Sequence, residues 1–289
     1  MRPSTILLAL VFPSSILATN HFSGLAVSNS VGGTGSYTCR TQAQWNQLAS
    51  DARNNGFAAV RIEGFDCDAL DMVSSAAAAV GIEVLVGIYV SGTIADGMIG
   101  INNDVQTFLA AYRKYGAGLY VGLTIGNEVN DSAGNIMAKV YDVRGYLRSV
   151  GVTTPVSSVH IWAFIRDNPE MCGADFGAAN AHAFYDPPST SADAGSFILN
   201  TVVPAVKTAC GSNSFIIAES GWPSRGSPVG AGIPSLDDEM TALKNLNCAA
   251  STASIYAFEY DDQLWKGTEA DQSFGIFGKI NFGADFSAC

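Results

Sequence analysis

Eight short apolar runs, separated by longer amphipathic stretches, leave this sequence very few folds to adopt. The runs are FSGLAVS (22–28), FAAVRI (57–62), IEVLVGIYV (82–90), LYVGLTI (119–125), PVSSVHIW (155–162), GAANAHAFY (177–185), SFIIAES (214–220) and ASIYAFEY (253–260). Most are continuously apolar rather than strictly alternating, as strands are when a parallel sheet is covered on both faces. Helix start signals lie between them. Thr41 with Gln44 forms a capping box, Asn103 with Gln106 opens a helix that stops at Gly116, and Ser235 with Asp238 opens another. Eight β-α units in a chain of this length predict an α/β protein, a single (β/α)8 TIM barrel over residues 19–289, since such barrels need roughly 250 residues. The rival is a doubly wound open sheet. It lacks its fingerprint, because no Gly-x-Gly-x-x-Gly follows the first run and GAGLYVG (116–122) leads into a strand. No linker, low-complexity stretch or longer repeat divides the chain, so one domain is expected.

The first residues, MRPSTILLALVFPSSILA, place Arg2 before an apolar run and end in small residues at Ala18. That is the pattern of a secretory signal peptide over 1–18. The run is too short for the ~30 Å hydrocarbon layer, and the terminal FGADFSAC has no hydrophobic tail for a lipid anchor. A secreted protein of the extracellular space or cell wall is expected, with no membrane association. The six cysteines, Cys39, Cys67, Cys172, Cys210, Cys248 and Cys289, suit an oxidising compartment. Their pairing is left open by the sequence. No Cys-x-x-Cys occurs, and His21, His160 and His182 are far apart, so no metal and no cofactor are expected. A formal net charge of −11 speaks against nucleic acid, which is held by Lys and Arg. The chain is expected to act as a monomer. Its one sequon, Asn130 to Ser132, lies so near Glu128 that it is expected to be inaccessible or unused.

In a closed barrel the reacting groups sit where strands end, on the face built by the βα loops. The fourth run ends in Gly126-Asn127-Glu128 and the seventh in Glu219. Strands four and seven face each other across a barrel mouth, so both carboxylates are expected to point into one cleft. Two opposed carboxylates suggest glycosidic bond cleavage, one protonating the leaving oxygen and the other attacking the anomeric carbon or activating water. A single strand-end glutamate is more often an ordinary solvated side chain, and it is the pair that carries the reading.

LTIGNEVND and IIAESGWPSRG resemble the two signature segments of glycoside hydrolase family 17, the fungal and plant β-1,3-glucanases and glucanosyltransferases. RIEGFDCDAL, ANAHAFYD and AFEYDDQLWK with FGIFGK extend the resemblance over almost all of the chain. The resemblance implies Glu128 as acid/base, Glu219 as nucleophile, and Asn127 as a donor to the sugar 2-hydroxyl. It also implies Lys266 as a donor to glucan hydroxyls. Tyr185 is a candidate donor to Glu219. Trp162, Phe184, Tyr185, Trp222, Tyr260 and Trp265 all fall at or just past strand ends, where flat rings can stack on glucose. The implied activity is cleavage of internal β-1,3 bonds of β-1,3-glucan by double displacement. The alternatives are a glucanosyltransferase or a glucan-binding wall protein with residual activity, and no Gly-x-Ser-x-Gly supports a serine hydrolase. Two departures, Arg61-Ile62-Glu63 and Asp261-Asp262-Gln263, stand where the family usually has an aromatic and a carboxylate. They are expected to alter subsites rather than the catalytic pair.

Overall fold

The computed structural model describes residues 20–211, 214–282, 286 and 289. The expected leader over 1–18 lies outside them. Among the described residues eight parallel strands close into a barrel in chain order. They are β1 (Gly24–Ala26), β2 (Ala59–Ile62), β3 (Glu83–Ile88), β4 (Tyr120–Asn127), β5 (Val156–Ile161), β6 (Gly177–Asn180), β7 (Phe215–Ser220) and β8 (Ile255–Ala257). Closure is made by β1, which pairs with β2 through Leu25 opposite Val60 and with β8 through Leu25 opposite Ala257. The predicted (β/α)8 barrel is therefore the fold.

The main helices are α1 (Gln42–Asn54), α2 (Ala69–Val80), α3 (Ile94–Tyr115), α4 (Ala133–Ser149), α5 (Trp162–Asp167), α6 (Ala194–Phe197), α7 (Val203–Cys210) and α8 (Leu236–Ala250). They cover the outside of the sheet. Residues of β2 and β3 such as Val60, Ile62, Val84 and Val86 turn outward into this shell and join Trp45, Leu48 and Phe108 in one buried core. Inside the barrel a second cluster packs Ala59, Leu85 and Tyr256 with Phe176 and Ile216. Gly24 makes room for it, since a Cβ there would fall 2.2 Å from the Tyr256 ring.

The capping box at Thr41 and Gln44 is present, and Ser235 caps α8 by accepting from the Asp238 N–H. The third helix differs from expectation. Its cap is Thr93, boxed by Asp96, and Asn103 lies in mid-helix. Gly97 and Gly100 lower the local helix propensity and hid this start, yet Gly97 is needed because a Cβ there would meet Val90 at 2.8 Å. The sixth run also ends early. Only 177–180 are strand, and Ala183–Tyr185 form a 3-10 turn that bends the chain over the barrel mouth.

The cysteines pair as Cys39–Cys67, Cys172–Cys210 and Cys248–Cys289. The first ties the loop after β1 to the loop after β2 on the rim. Asn130, in the sequon expected to be inaccessible or unused, is exposed, so access is not what would keep it unused.

Candidate active site

Strand β4 ends in two left-handed residues, Gly126 (φ 77°) and Glu128 (φ 52°). A side chain at Gly126 would strike Val129 at 2.2 Å, and positive φ is uncommon for any other residue type. This turn aims Glu128 over the barrel mouth, while its N–H stays bonded to the Val159 carbonyl of β5 at 2.9 Å. Opposite, Glu219 near the end of β7 anchors its carbonyl to the Ala181 N–H at 2.9 Å. Both carboxylates line one cleft of about 740 Å³, together with Asn180, His182, Trp162 and Tyr185.

The two are treated oppositely by their surroundings. Glu219 is buried, and burial alone would raise its pKa. Arg61 Nη1 lies 2.5 Å from Oε1 and His182 Nε2 lies 3.5 Å from Oε2. These partners hold the carboxyl down to about 2, so it is an anion at any working pH. Glu128 is raised instead, first by the desolvating cleft walls and then by repulsion from Glu219. Asn180 Nδ2 donates to its Oε1 at 2.8 Å. Divergent pKa values in a facing pair are how an acid and a nucleophile are told apart.

Asn127 is fixed between them. Its Oδ1 accepts from Arg61 Nη2 at 2.9 Å and Asn180 Nδ2 at 3.0 Å, and its own Nδ2 faces Glu63 Oε2 at 3.3 Å. The amide nitrogen therefore has a fixed direction and one hydrogen left for a ligand. Among the described residues no group of three His, Cys, Asp or Glu side chains is placed to hold a metal ion.

The expected aromatic contacts divide. Trp265, 38% exposed, lines the cleft with Trp162 and Tyr185. Its Nε1 donates to Gln263 Oε1 at 2.8 Å, and its edge meets the Tyr37 ring at 4.9 Å between centroids. Lys266 also lines the cleft, but its Nζ is paired with the buried Glu259 at 2.6 Å. Tyr185 does not donate to Glu219. Its hydroxyl goes to Asp271 Oδ1 at 2.8 Å, because the 3-10 turn carries it to the outer rim. Trp222 is no sugar platform: it is fully buried against Phe184, itself fully buried, and its Nε1 donates to the Ile233 carbonyl at 2.8 Å. Tyr260 faces away from the cleft, packing on Phe277 and donating to Asp51 of α1 at 2.8 Å. The expected contacts Trp222 and Tyr260 are thus corrected to packing residues.

As supports of the carboxylate pair, Arg61, Asn180 and His182 do not stand out in the sequence, although period two in a strand places them on inward faces. Ala59, Arg61 and Glu63 share one face of β2 and its continuation, and Ala178, Asn180 and His182 share one face of β6 and its continuation. The Asp261-Asp262-Gln263 departure is structural at its two aspartates and reaches the cleft through Gln263 and Trp265. Asp261 holds Arg40 at 2.5 Å, Asp262 holds Lys279 at 3.0 Å, and Gln263 braces Trp265.

Trp222→Ala is expected to destabilise the fold by about 3–5 kcal/mol, as loss of a buried Trp does, while the folded fraction keeps its affinity for sugar. Trp265→Ala is expected to do the reverse, raising KM at unchanged thermal midpoint. Thermal denaturation beside Michaelis kinetics separates the two roles.

The model of the BtgE/BtgC glycoside hydrolase domain matches residues 26–278. The chain belongs to this family. The match bears out the resemblance to glycoside hydrolase family 17 carried by the fourth- and seventh-strand segments. Among relatives, the probable family 17 glucosidase SCW4 of Saccharomyces cerevisiae is 33% identical, over 80% of this chain and 58% of its own. The cell surface mannoprotein MP65 of Candida albicans is 29% identical, over 83% and 63%. The chain thus spans about six tenths of the length of these curated relatives. The crystal structure of a glycoside hydrolase family 17 β-1,3-glucanosyltransferase from Rhizomucor miehei superposes with a TM-score of 0.77 over 92% of this chain and 99% of its own. At 17% identity that likeness is one of fold.

Proposed function

We propose that this BtgE/BtgC-family glycoside hydrolase is a retaining enzyme that cleaves β-1,3-glucosidic bonds of cell-wall glucan outside the cell. The observation that carries the reading is two carboxyls lining one cleft in opposite surroundings, Glu219 paired with Arg61 and His182 and Glu128 met by the neutral amide of Asn180, which favours the anion at Glu219 and the acid at Glu128. In the first step Glu219 attacks the anomeric carbon as the bond to the leaving oxygen breaks, and Glu128 gives that oxygen its proton. In the second, Glu128 takes a proton from water or a sugar hydroxyl, which opens the ester. Asn127 aims its remaining N–H at the 2-hydroxyl, a contact that tightens as the ring flattens.

The substrate class rests on the family 17 resemblance. It is supported by the complex of an active-site mutant of the Rhizomucor miehei glucanosyltransferase with laminaritriose. The extracellular placement is supported by the three disulfides and by the surface location in the name of the MP65 relative. Transfer to a second glucan chain is the reading closest to this one. The cleft is compatible with it, since Ile161, Trp162 and Tyr185 add apolar surface to the same cleft as Glu128, on which an acceptor sugar can rest.

The deciding experiment is mass-resolved product analysis with an end-labelled linear β-1,3-gluco-oligosaccharide, beside the Glu219→Gln variant. Shorter products alone establish hydrolysis, and products longer than the substrate establish transfer. Binding without any change in product length would leave a wall-binding protein. The pH profile gives a second check. Activity is expected to fall as pH rises through the Glu128 pKa, displaced upward from an ordinary glutamate. On the acid side it should persist until pH approaches about 2, where Glu219 gains a proton. An acid limb near the ordinary glutamate pKa would contradict the pairing of Glu219 with Arg61.

A further inference from the structure

Arg61 faces two carboxylates, and the reaction consumes the charge of only one. Its side chain is 1% exposed, and Nη1 lies 2.5 Å from Glu219 Oε1 and 3.4 Å from Glu63 Oε1. Nη2 is held by Asn127. Glu63 stands one residue past β2, on the same face as Arg61, with its other oxygen facing the Asn127 amide at 3.3 Å. Its side chain is 38% exposed, so it reaches water and can adjust. At 3.4 Å and half open, such a contact adds little to a resting enzyme whose guanidinium already has a close partner. Glu63 thus looks redundant as long as Glu219 is an anion.

We propose that Glu63 is the counter-charge that takes over Arg61 when Glu219 is esterified, keeping the buried guanidinium paired through the covalent stage of the reaction. The inference rests on Glu219 being the nucleophile. When the new bond from Glu219 to the anomeric carbon forms and the bond to the leaving oxygen breaks, the Glu128 proton goes to that oxygen. The negative charge of Glu219 ends in a neutral ester, and Glu128 becomes the anion. Arg61 cannot shed its own proton. A buried cation beside an ester is left unpaired, which is the expensive case among buried charges. Glu63 Oε1 needs to close by well under 1 Å to reach the usual ~2.8 Å of a charged hydrogen bond. Desolvation and then the Glu219 charge raise the Glu63 pKa, while Arg61 and Lys266 oppose them. Esterification removes the Glu219 contribution. Any proton Glu63 carries then leaves to the water it touches, and the anion is present when Arg61 needs it.

Glu63 is therefore a positioning residue, and charge sharing predicts a contrast that a merely structural role does not. Glu219→Gln neutralises that side chain permanently, as the ester does transiently. In the wild-type background Glu63→Gln should move the thermal midpoint by no more than about 2 °C. In the Glu219→Gln background it should lower the midpoint by about 10 °C more, since Arg61 then loses the last carboxylate in direct contact with it among the described residues, and Glu128 acts on it only from farther off. Glu63→Asp in that same background should recover most of the loss. With an aryl β-laminaribioside, Glu63→Gln should reduce kcat at least about tenfold with KM within about threefold. Equal midpoint shifts in both backgrounds, or a raised KM at unchanged kcat, would overturn the inference alone. Turnover retained by Glu219→Gln would sink the nucleophile reading, and this inference with it.

Discussion

Glu219→Ala should lower turnover of a β-1,3-gluco-oligosaccharide by roughly 10⁴-fold or more, as removal of a covalent nucleophile does. Azide should then return activity toward a substrate with an activated aryl leaving group. The stereochemistry is fixed by the arrangement of the site. With the Glu219 carboxylate gone, a small anion can occupy its place and attack the anomeric carbon from the same side. One displacement replaces two, and the product is the α-glycosyl azide. Glu128→Ala should behave differently. An activated leaving group departs without a proton, so the first step survives and the glycosyl ester on Glu219 builds up. Azide attacks that ester from the opposite face and yields the β-glycosyl azide. On an unactivated glucan, where the acid is needed, Glu128→Ala should lose roughly 10²–10⁴-fold. The anomeric proton coupling of the two azides is the readout. A β-azide from Glu219→Ala, or full glucan activity in Glu128→Ala, would reverse or remove the assigned roles.

The carboxylate pair was legible because each member closes a strand, and strand ends are where a barrel's sequence announces its chemistry, while the role proposed for each is what the family resemblance implies. The barrel itself was legible because continuous apolar runs and amphipathic stretches alternate throughout. The aromatic residues were less so. Trp222 and Trp265 both follow a strand end, but direction after that point is set by the loop path. The Trp222 indole turns into the shell to reach the Ile233 carbonyl, while Gln263 holds Trp265 toward the cleft. Nothing in local residue type distinguishes them. The charged support of Glu219 was hidden differently. Arg61 sits in an otherwise apolar strand, where an arginine reads as a family feature until the period-two face with Ala59 and Glu63 is followed into the barrel. Tyr185 lines the cleft but does not reach Glu219 as expected. A three-residue turn after β6, invisible in the composition of GAANAHAFY, moves its hydroxyl to Asp271.

Arg61→Met should produce the largest combined effect on stability and activity, because it strips the support from a carboxylate that burial by itself would neutralise. Desolvation raises Glu219, and the charge of Arg61 is the main influence holding it down, with His182 second. Without the guanidinium the Glu219 pKa should climb from about 2 toward or beyond that of an ordinary glutamate. Activity is then lost as pH falls through the raised value, so the acid limb of the profile moves up by several pH units. Stability follows the same proton. In the wild type a depressed folded-state pKa contributes stability that is present above the unfolded value and lost as pH falls toward about 2. Removing one partner of a buried pair costs on the order of 3–5 kcal/mol, so the Arg61→Met deficit should be widest near neutral pH. It should shrink on acidification, when Glu219 is protonated in either protein. Arg61→Lys should recover part of the stability by restoring a cation, but not the alignment, since one ammonium cannot reach Glu219 and Asn127 along two fixed directions. Thermal midpoints measured from pH 2 to pH 7 decide the matter. A deficit that does not vary with pH would mean that Arg61 serves packing, and that Glu219 owes its charge to another group.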